Sequence, residues 1–197
     1  MKHSVITEGF GVRLRPVRVE DAAFIVWLRN LDHARGRIGD TVDEVGQRQW
    51  LEKYFEREGD YYFIIETPGG IRVGAYGIYD LRGNSGESGR WVINPEVPAA
   101  IPSAMLAFKT AFETLALAEL RVSTVSTNQL VLSLNKKFGF RETGVTRAAQ
   151  IINGQPVDLI HFLLHAGDWP KVREKLLPLA TLAEKQVRDW EQSQPRS

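Results

Sequence analysis

The order of hydrophobic periodicities between residues 61 and 126 places the strongest constraint on how this chain folds. Three segments with strand character, YYFIIE, IRVGAYGIYD and GESGRWVIN, are joined by TPGG and RGNSG, whose glycines suit hairpin turns. These segments predict an antiparallel meander. Residues 102–117 then change to helical spacing, and LRVSTVS returns to strand character. Because a strand, a helix and a strand in this order predict a parallel crossover, the sheet is expected to be mixed.

The segment before the meander is predicted to add one strand and two helices. Residues 12–17 alternate as a strand does, and VEDAAFIVWLRN follows as an amphipathic helix with acidic residues in its first turn. Residues 31–40 are polar and contain glycines, so they are predicted to form a loop. A second helix is predicted from Thr41 through about Glu58, with Asp43 near its positively charged end.

The segment after the crossover is predicted to close the sheet with a hairpin. Residues 145–152 and 157–164 have strand character and flank Asn-Gly, the strongest short hairpin signal. Residues 168–193 form a charged helical tail, and Pro178 is expected to break its early turns. We therefore expect an α/β fold: a mixed, mostly antiparallel twisted sheet with helices on both faces and a C-terminal helical tail.

The tail sets the predicted domain boundary. Residues 1–169 are expected to form a single domain, since a chain of 197 residues suffices for one buried core. Residues 170–197 are expected to form a helical extension, which carries more apolar side chains than a fully solvated helix would. The extension is expected to pack either on the domain or across a homodimer.

Composition excludes several classes of function. Lys plus Arg number 25 and Asp plus Glu number 24, so the net charge of +1 gives no broad field for nucleic acid or an acidic membrane. The absence of cysteine excludes thiolate catalysis and zinc–thiolate sites, and His161 and His165 lack a third metal ligand. No apolar run reaches the length of a membrane span. The Met1-Lys2-His3 start lacks the apolar segment of a signal peptide, so a cytoplasmic protein is expected.

The segment TNQLVLSLNKKFGF carries polar side chains that packing does not require. Asn128 can cap a short helix, and Gly139 can take the left-handed position that ends it. Asn135 and the pair Lys136-Lys137 lie near the polar end of this helix. The lysines suit the negative end of the helix dipole, and contact with a phosphate is the alternative interpretation.

The predicted element order, β-α-α-β-β-β-α-β-α-β-β, resembles the GNAT superfamily of acetyl-CoA-dependent N-acetyltransferases. Four local matches follow the family's order within residues 12–169: LRPV with Asp21, ESGRWVINPE, NQLVLSLNKKFGF and DLIHFLLHAGDW. Within the superfamily, the chain resembles the branch of ribosomal-protein and nucleotide-amino-sugar acetyltransferases. The resemblance implies an acyl-CoA N-acyltransferase fold that takes acetyl-CoA as a cosubstrate and needs no metal.

The resemblance also implies where acetyl-CoA binds. The fourth and fifth strands of the family diverge, so unpaired backbone groups on the fourth strand bind pantetheine as an added strand would. The diphosphate is expected at the N-terminus of the helix that begins at Pro102, where free N–H groups and the helix dipole favour negative charge. Asn128 is expected to cap its helix, to contact the cofactor, or to do both. The residues that the resemblance assigns to the cofactor are Trp91, Val92, Ile93, Ser103, Ala104, Met105, Asn128, Lys136 and Lys137.

Three positions depart from the family pattern. VPAAIPSAM stands where the family has an Arg or Gln followed by two glycines, and Pro102 removes one N–H donor. Asn135 stands where many members carry a tyrosine as general acid, and an amide cannot release a proton at neutral pH. Ser123 stands where a carboxylate is often found. The meander tyrosines Tyr61, Tyr62, Tyr76 and Tyr79 are expected to pack, and the alternative is that one of them replaces the missing acid.

Glu87 is the remaining carboxylate at a matched position. If the strand alternates regularly, Glu87 shares a face with Gly89, Trp91 and Ile93, and this narrow apolar setting would raise the pKa of its carboxyl. Glu87 and Asn135 are therefore the candidate catalytic residues, with Glu87 as a base that acts directly or through water. The alternative is that Glu87 ends its strand in solvent.

The resemblance implies that the chain transfers acetyl from acetyl-CoA to a primary amine by direct attack. Because Ser123 and Asn135 replace two proton-handling residues, an amine of low pKa is favoured, on an amino-sugar nucleotide or a peptide N-terminus. Arg35 and Arg37 lie in the loop that borders the acceptor and are suited to a diphosphate. The alternative is a GNAT-fold protein that binds acyl-CoA or regulates a partner and has a weakened catalytic site.

Overall fold

A computed structural model of the chain describes residues 2–37 and 43–195. Within these ranges the strands are β1 (Thr7–Gly9), β2 (Val12–Pro16), β3 (Tyr61–Glu66), β4 (Arg72–Arg82), β5 (Ser85–Ile93), β6 (Glu119–Val125), β7 (Arg141–Ile152) and β8 (Gln155–His165). The α-helices are α1 (Ala22–Asn30), α2 (Glu44–Phe55), α3 (Ala100–Lys109), α4 (Gln129–Lys137) and α5 (Trp169–Ser193). The predicted helix start at Thr41 lies outside the described residues.

The strands form one mixed sheet. Their order is β1-β2-β3-β4-β5-β6-β8-β7, and every neighbouring pair is antiparallel except β5 with β6. The predicted meander of β3, β4 and β5 is confirmed. The predicted parallel crossover is also confirmed, because α3 connects β5 to β6. The sequence pattern does not indicate β1, which pairs with β2 in a register that places Thr7 opposite Leu14.

Helices cover both faces of the sheet, as predicted. The side chains of β3 alternate between two apolar clusters, with Phe63 in one and Tyr62 in the other. Phe108 of α3 joins the first cluster, so we call that side of the sheet the α3 face. Ile25 of α1 and Leu51 of α2 join the second, and we call that side the α1 face.

A buried ion-pair network fixes β2, β3 and the start of α1 to one another. The Arg15 guanidinium donates two hydrogen bonds to the Asp21 carboxylate, at 2.7 and 2.9 Å, and one to Glu66 at 2.7 Å. Asp21 also accepts the N–H of Arg18 at 2.8 Å. Burial alone would raise the pKa of the Asp21 carboxyl, but the hydrogen bonds from Arg15 and Arg18 outweigh it and hold that pKa below its usual range. Arg15 of the LRPV segment and Asp21 therefore connect β2 to the start of α1.

The C-terminal helix α5 packs along the α3 face. Leu176, Ala180 and Val187 belong to the apolar cluster of that face. Farther along, Glu191 Oε1 accepts the N–H of Gly69, in the turn between β3 and β4, at 2.8 Å. The predicted extension thus contributes side chains to the same core as the strands.

The prediction that Pro178 breaks the tail is wrong. α5 runs without interruption through Pro178. The residue lies on the exposed side of the helix, where water can satisfy the Glu174 carbonyl that the proline leaves without a donor. Neither α5 nor any other described helix is both long and apolar enough to cross a membrane.

Leu176→Ala is expected to lower the free energy of unfolding by about 2–5 kcal/mol, because it leaves a cavity beneath α5. The Leu176 side chain is only 1% exposed, whereas Leu182 on the same helix is 62% exposed. Leu182→Ala is therefore the matched control, with an expected effect within about 0.5 kcal/mol. Urea unfolding followed by circular dichroism measures both variants. If Leu176→Ala lowered the free energy of unfolding no more than Leu182→Ala does, the packing of α5 on the core would add little to stability.

Asp21→Asn is expected to destabilise the protein at neutral pH and progressively less in acid. The pKa of Asp21 is lower in the folded state than its usual value, so its ionised form stabilises the fold above the unfolded pKa of about 3.9. This contribution is lost as the pH falls through the folded pKa. The measurement is the free energy of unfolding of both proteins in urea, from neutral pH down to the acid limit of the folded state. A difference that stays constant with pH would contradict the assignment.

Candidate active site

β5 and β6 are paired over only part of their length. Pairing runs from Ser85 with Glu119 to Ser88 with Val122, and both strands continue beyond it. Their diverging ends border a cleft of about 800 Å³, whose walls include side chains from both faces of the sheet. The predicted divergence of these two strands is therefore confirmed.

A β-bulge at Arg90 changes which side chains of β5 point to each face. Gly89 pairs with Gly77 and Val92 pairs with Ala75, so β5 carries an extra residue between these pairs. Arg90 has the left-handed φ of 52° at this point. Regular alternation therefore stops at the bulge.

Because of the bulge, Glu87 lies on a different face of the sheet from the residues that follow Arg90. Glu87 pairs with Tyr79 on the α1 face, whereas Trp91 and Ile93 pack against the apolar cluster of the α3 face. The prediction that Glu87 shares a face with Trp91 and Ile93 is wrong, because it assumed regular alternation. Glu87 Oε2 instead lies 3.5 Å from the Arg121 guanidinium, so its setting is an ion pair and not an apolar pocket.

The Arg90 side chain holds the bulge in place. Its guanidinium donates two hydrogen bonds to the Asp60 carboxylate, at 2.7 and 2.9 Å. Its guanidinium carbon lies 4.2, 5.1 and 5.3 Å from the ring centroids of Tyr79, Trp50 and Tyr62. These contacts offset a backbone conformation that is uncommon for a residue with a side chain.

α3 begins two residues before the predicted start. Because its first residue is Ala100, the N–H of Ser103 already donates to the carbonyl of Ala99, at 2.9 Å. Ala104 and Met105 come later in the helix, where N–H groups bond within it. The prediction that the N–H groups of Ser103, Ala104 and Met105 are free for a diphosphate is therefore wrong.

The first turn of α3 offers two other donors. The N–H groups of Ala100 and Ile101 have no acceptor within the part of the chain that the structure describes, and Pro102 carries no N–H. Ser103 serves a different purpose. Its hydroxyl accepts the indole N–H of Trp91 at 3.2 Å and donates to the carbonyl of Ala100 at 3.1 Å, which orients the indole on the α3 face.

α4 lines the cleft on the α3 face. Asn128 caps the helix, since its Oδ1 accepts the N–H of Val131 at 3.4 Å, and it also lines the cleft. Asn135 is buried in the cleft wall and donates from Nδ2 to Thr124 Oγ1 at 3.0 Å. The helix ends at a left-handed Gly139 with φ of 86°, as predicted. Asn128 is thus placed for both of its predicted roles.

Lys136 and Lys137 lie away from the cleft. The ammonium of Lys136 is 3.7 Å from the Glu142 carboxylate on β7. The backbone carbonyl of Lys137 accepts a hydrogen bond from Lys175 on α5, at 3.1 Å. Neither lysine is among the described residues that line the cleft. Their role as cofactor ligands stays a prediction, and their placement favours the alternative interpretation, a charge near the end of the helix.

The α1 face of the cleft carries cationic and aromatic side chains, of which the sequence predicted a role only for Arg37, Tyr62 and Tyr79. The lining residues on this face are Arg29, His33, Arg37, Gln47, Trp50, Arg57, Tyr62, Tyr79 and Arg90. Arg29 donates to Gln47 at 3.1 Å, and the Arg57 guanidinium carbon lies 5.3 Å from the Trp50 ring centroid. These contacts orient the cationic groups along the wall.

The sequence spacing of three of these residues indicates that they share one surface. Arg29, His33 and Arg37 recur at every fourth position, which places them along one side of α1 and the turns that follow it. Of the two loop arginines predicted near the acceptor, only Arg37 lines the cleft. Arg35 instead donates to the carbonyl of Asn30 at 3.0 Å.

The electrostatic character of the α1 face is mainly positive. Among the described residues, the carboxylates that line the cleft are Asp80 and Glu87, and the latter is paired with Arg121. Ser123 also lines this part of the cleft, with its hydroxyl 3.0 Å from His161 Nδ1. No group of three or more His, Asp or Glu side chains is placed to hold a metal ion in the ranges 2–37 and 43–195.

The cleft therefore joins two chemically different halves at the gap between β5 and β6. The α3 half offers unpaired backbone groups of β5 and an oriented indole, and the free N–H groups of Ala100 and Ile101 begin the helix whose Ala104 and Phe108 line this half. The α1 half offers arginines and aromatic rings. Such an arrangement suits two substrates that meet at the gap, an extended one that carries a diphosphate and a second one that carries negative charge.

Comparisons with known proteins agree with this geometry. Residues 12–141 match the model of the acetyltransferase (GNAT) domain. A GCN5-related N-acetyltransferase from Brucella melitensis superposes with a TM-score of 0.76 at 19% identity, over 90% of this chain and 86% of that one. FdhC, described as a nucleotide-linked sugar GNAT, gives 0.73 at 25% identity, over 91% and 98%. A variant of the spermidine N-acetyltransferase SpeG from Vibrio cholerae gives 0.74 at 19% identity, over 82% and 98%. A search of curated proteins finds no match.

Pro102→Ala is expected to tighten the binding of a diphosphate ligand. The variant adds an N–H beside those of Ala100 and Ile101, and one more hydrogen bond is worth about 1 kcal/mol, or roughly fivefold in Kd. Calorimetric titration with acetyl-CoA, the ligand that the family resemblance implies, measures the change. Pro178→Ala is the control, because the N–H that it adds lies inside α5 and away from the cleft. Unchanged affinity of Pro102→Ala would place the diphosphate elsewhere.

Proposed function

The chain belongs to the GNAT acetyltransferase family, and we propose that it transfers the acetyl group of acetyl-CoA to a low-pKa primary amine of an amino-sugar nucleotide. Acetyl-CoA supplies an activated thioester, so the amine can attack it directly without an enzyme-bound acyl intermediate. The observation that carries the proposal is the cationic and aromatic lining of the α1 half of the cleft. A peptide N-terminus, the other amine of low pKa, is the second acceptor to test.

We assign the α3 half of the cleft to acetyl-CoA. The edge of β5 that faces β6 is unpaired beyond Ser88, so the backbone of residues 91–93 can bind the pantetheine chain as an added strand. Ala100 and Ile101 retain two N–H groups and the positive end of a helix dipole for the diphosphate. Asn135 lines the same half and offers an amide that can donate a hydrogen bond to the departing sulfur.

The positive charge of the α1 half favours an acceptor that carries negative charge. Arg29, Arg37 and Arg57 line the α1 half, and the carboxylate of Glu87 is engaged by Arg121. Guanidinium groups bind phosphate oxygens in a bidentate way, and the nearby aromatic rings suit the flat base of a nucleotide. The same wall disfavours a polyamine, because like charges repel when they are brought together in a cleft. FdhC, which shares the fold at 25% identity, is described as acting in the nucleotide-linked sugar class.

The low pKa of the acceptor follows from the groups that replace the usual proton-handling residues. An amine attacks a thioester only when it is neutral, and at pH 7 a lysine amine with a pKa of about 10.4 is neutral in roughly one molecule in 2,500. An amine with a pKa of about 7.8 is neutral in roughly one molecule in seven. Because Asn135 cannot release a proton and Ser123 carries no carboxylate, the weaker base is the better acceptor.

The second candidate is a GNAT-fold protein that binds acyl-CoA and has a weakened catalytic site. The start of α3 favours it, since Pro102 removes a donor and only the N–H groups of Ala100 and Ile101 stay free within the described chain. This candidate predicts binding of acetyl-CoA without turnover on any amine. The acceptor assay below separates the two candidates.

Turnover is expected to be highest on nucleotide-linked amino sugars, lower on peptide N-termini and lowest on spermidine and on lysine in N-terminally blocked peptides. The reasons are the positive wall of the α1 half and the fraction of neutral amine at pH 7. The measurement is release of the coenzyme A thiol with each acceptor under identical conditions. Lysine or spermidine as the best acceptor would contradict the proposal.

Arg37→Ala is the structural test of the same proposal. It is expected to raise the KM for the nucleotide-linked amino sugar about tenfold, which corresponds to about 1.4 kcal/mol, and to leave the KM for acetyl-CoA unchanged. Arg35→Ala is the matched control, because Arg35 lies in the same loop and does not line the cleft. Equal effects of the two variants would show that the positive wall does not bind the acceptor.

A further inference from the structure

Three polar side chains form a hydrogen-bonded chain across neighbouring strands. Ser123 on β6 lies directly opposite His161 on β8, and the Ser123 hydroxyl is 3.0 Å from His161 Nδ1. His161 Nε2 is in turn 2.7 Å from the Thr146 hydroxyl on β7. Ser123 lines the cleft and Thr146 is exposed to solvent. The three side chains thus connect the cleft to bulk water.

The hydrogen-bonded series begins at Ser123, on the side of the gap that we assign to the amine acceptor. Thr124 bonds Asn135 of α4, which places its side chain on the α3 face. Ser123, the residue before it in the strand, therefore points to the α1 face, as does Arg121, the partner of Glu87. The hydroxyl of Ser123 is consequently presented to the half of the cleft that we assign to the amine.

We propose that His161, acting through the Ser123 hydroxyl, takes up the proton that the amine loses during acetyl transfer. A hydroxyl alone cannot hold that proton, whereas an imidazole can accept one at its unprotonated nitrogen. When Nδ1 accepts the hydrogen bond from Ser123, the proton of the neutral imidazole is on Nε2 and is donated to Thr146. The inference rests on the proposed function, because it concerns the same reaction and the same cleft.

The proton and the bonds balance as follows. The amine nitrogen forms a bond to the thioester carbonyl carbon, and the carbon–sulfur bond breaks, so coenzyme A departs as the thiolate. The nitrogen transfers its proton to Ser123 Oγ while the original hydroxyl proton moves to His161 Nδ1. The resulting imidazolium releases the Nε2 proton to solvent past Thr146, and the thiolate takes up a proton from water, so the products are the N-acetylated amine and the coenzyme A thiol. Proton exchange with solvent then returns the imidazole to the Nε2–H tautomer before the next turnover. His161 does not touch the acceptor and is a positioning residue in this scheme.

Glu87 is the rival for this role. Its carboxylate lies on the same face and lines the cleft, but it is 3.5 Å from the Arg121 guanidinium. The Ser123 hydroxyl is not engaged in this ion pair, and its contact in the described structure is the imidazole. The geometry therefore favours the relay through Ser123 for the proton and leaves Glu87 with Arg121 as part of the wall.

The test uses the full-length protein and its best acceptor in the amine panel. His161→Gln keeps a side chain that can hydrogen-bond both neighbours but cannot take up a proton, and it is expected to lower kcat about a hundredfold with unchanged KM for acetyl-CoA. Ser123→Ala is expected to lower kcat by a similar factor. His161→Ala is expected to lose activity as well and to regain it in part when free imidazole is added, which a purely structural role would not produce.

The control variant is His165→Gln. His165 lies on the same strand, is 3.6 Å from Glu119 and does not line the cleft, so kcat is expected to be unchanged. Wild-type kcat in His161→Gln would overturn the inference and leave the acetyltransferase proposal standing, and so would a loss confined to Glu87→Gln. A loss in His161→Ala that imidazole does not reverse would also overturn it. Absence of turnover in the wild type with every amine would overturn the proposed function together with the inference.

Discussion

The ion pair between Arg90 and Asp60 is the interaction on which the site depends. A left-handed arginine in a strand is unfavourable by itself, and two hydrogen bonds from Asp60 with three flanking rings hold it there. The bulge places Trp91 on the α3 face although Glu87, four positions earlier, lies on the α1 face. A regular strand would have put both on one side. The bulge therefore places Trp91 and Glu87 in different halves of the cleft.

The two halves of the cleft draw on different parts of the chain. The α1 half takes Arg29, Arg37 and Arg57 from residues 29–57, and the α3 half takes Trp91, Phe108 and Asn135 from residues 91–138. The two sets contact different faces of the sheet and meet only at the gap between β5 and β6. Under the proposed assignment of the two halves, acceptor preference can therefore change by substitution on α1 and α2 while the α3 half keeps its structure. This separation is consistent with a fold whose relatives include both a sugar-nucleotide and a spermidine enzyme.

Features that depend on near neighbours in the sequence could be predicted, and features that depend on distant partners could not. The meander, the crossover and both ends of α4 follow from turn glycines, helical spacing, Asn128 and Gly139. The bulge gives no local signal, because its partner Asp60 is 30 residues earlier. Of the positive wall only Arg37 was predicted, since α1 and α2 bring Arg29 and Arg57 beside it only in the folded chain. The start of α3 could not be read from Pro102, because a proline fits the third position of a helix as well as the first.

The packing of α5 also bears on the order in which the protein is made. Its apolar side chains cover strands that leave the ribosome more than a hundred residues earlier, since Leu176 and Val187 share a cluster with Leu14 and Phe63. During synthesis the α3 face of the sheet is thus without part of its cover until the last described helix emerges. Such transiently bare apolar surface is what chaperones bind and what drives aggregation. The nascent chain therefore exposes part of this apolar surface until α5 has been made and packs on it.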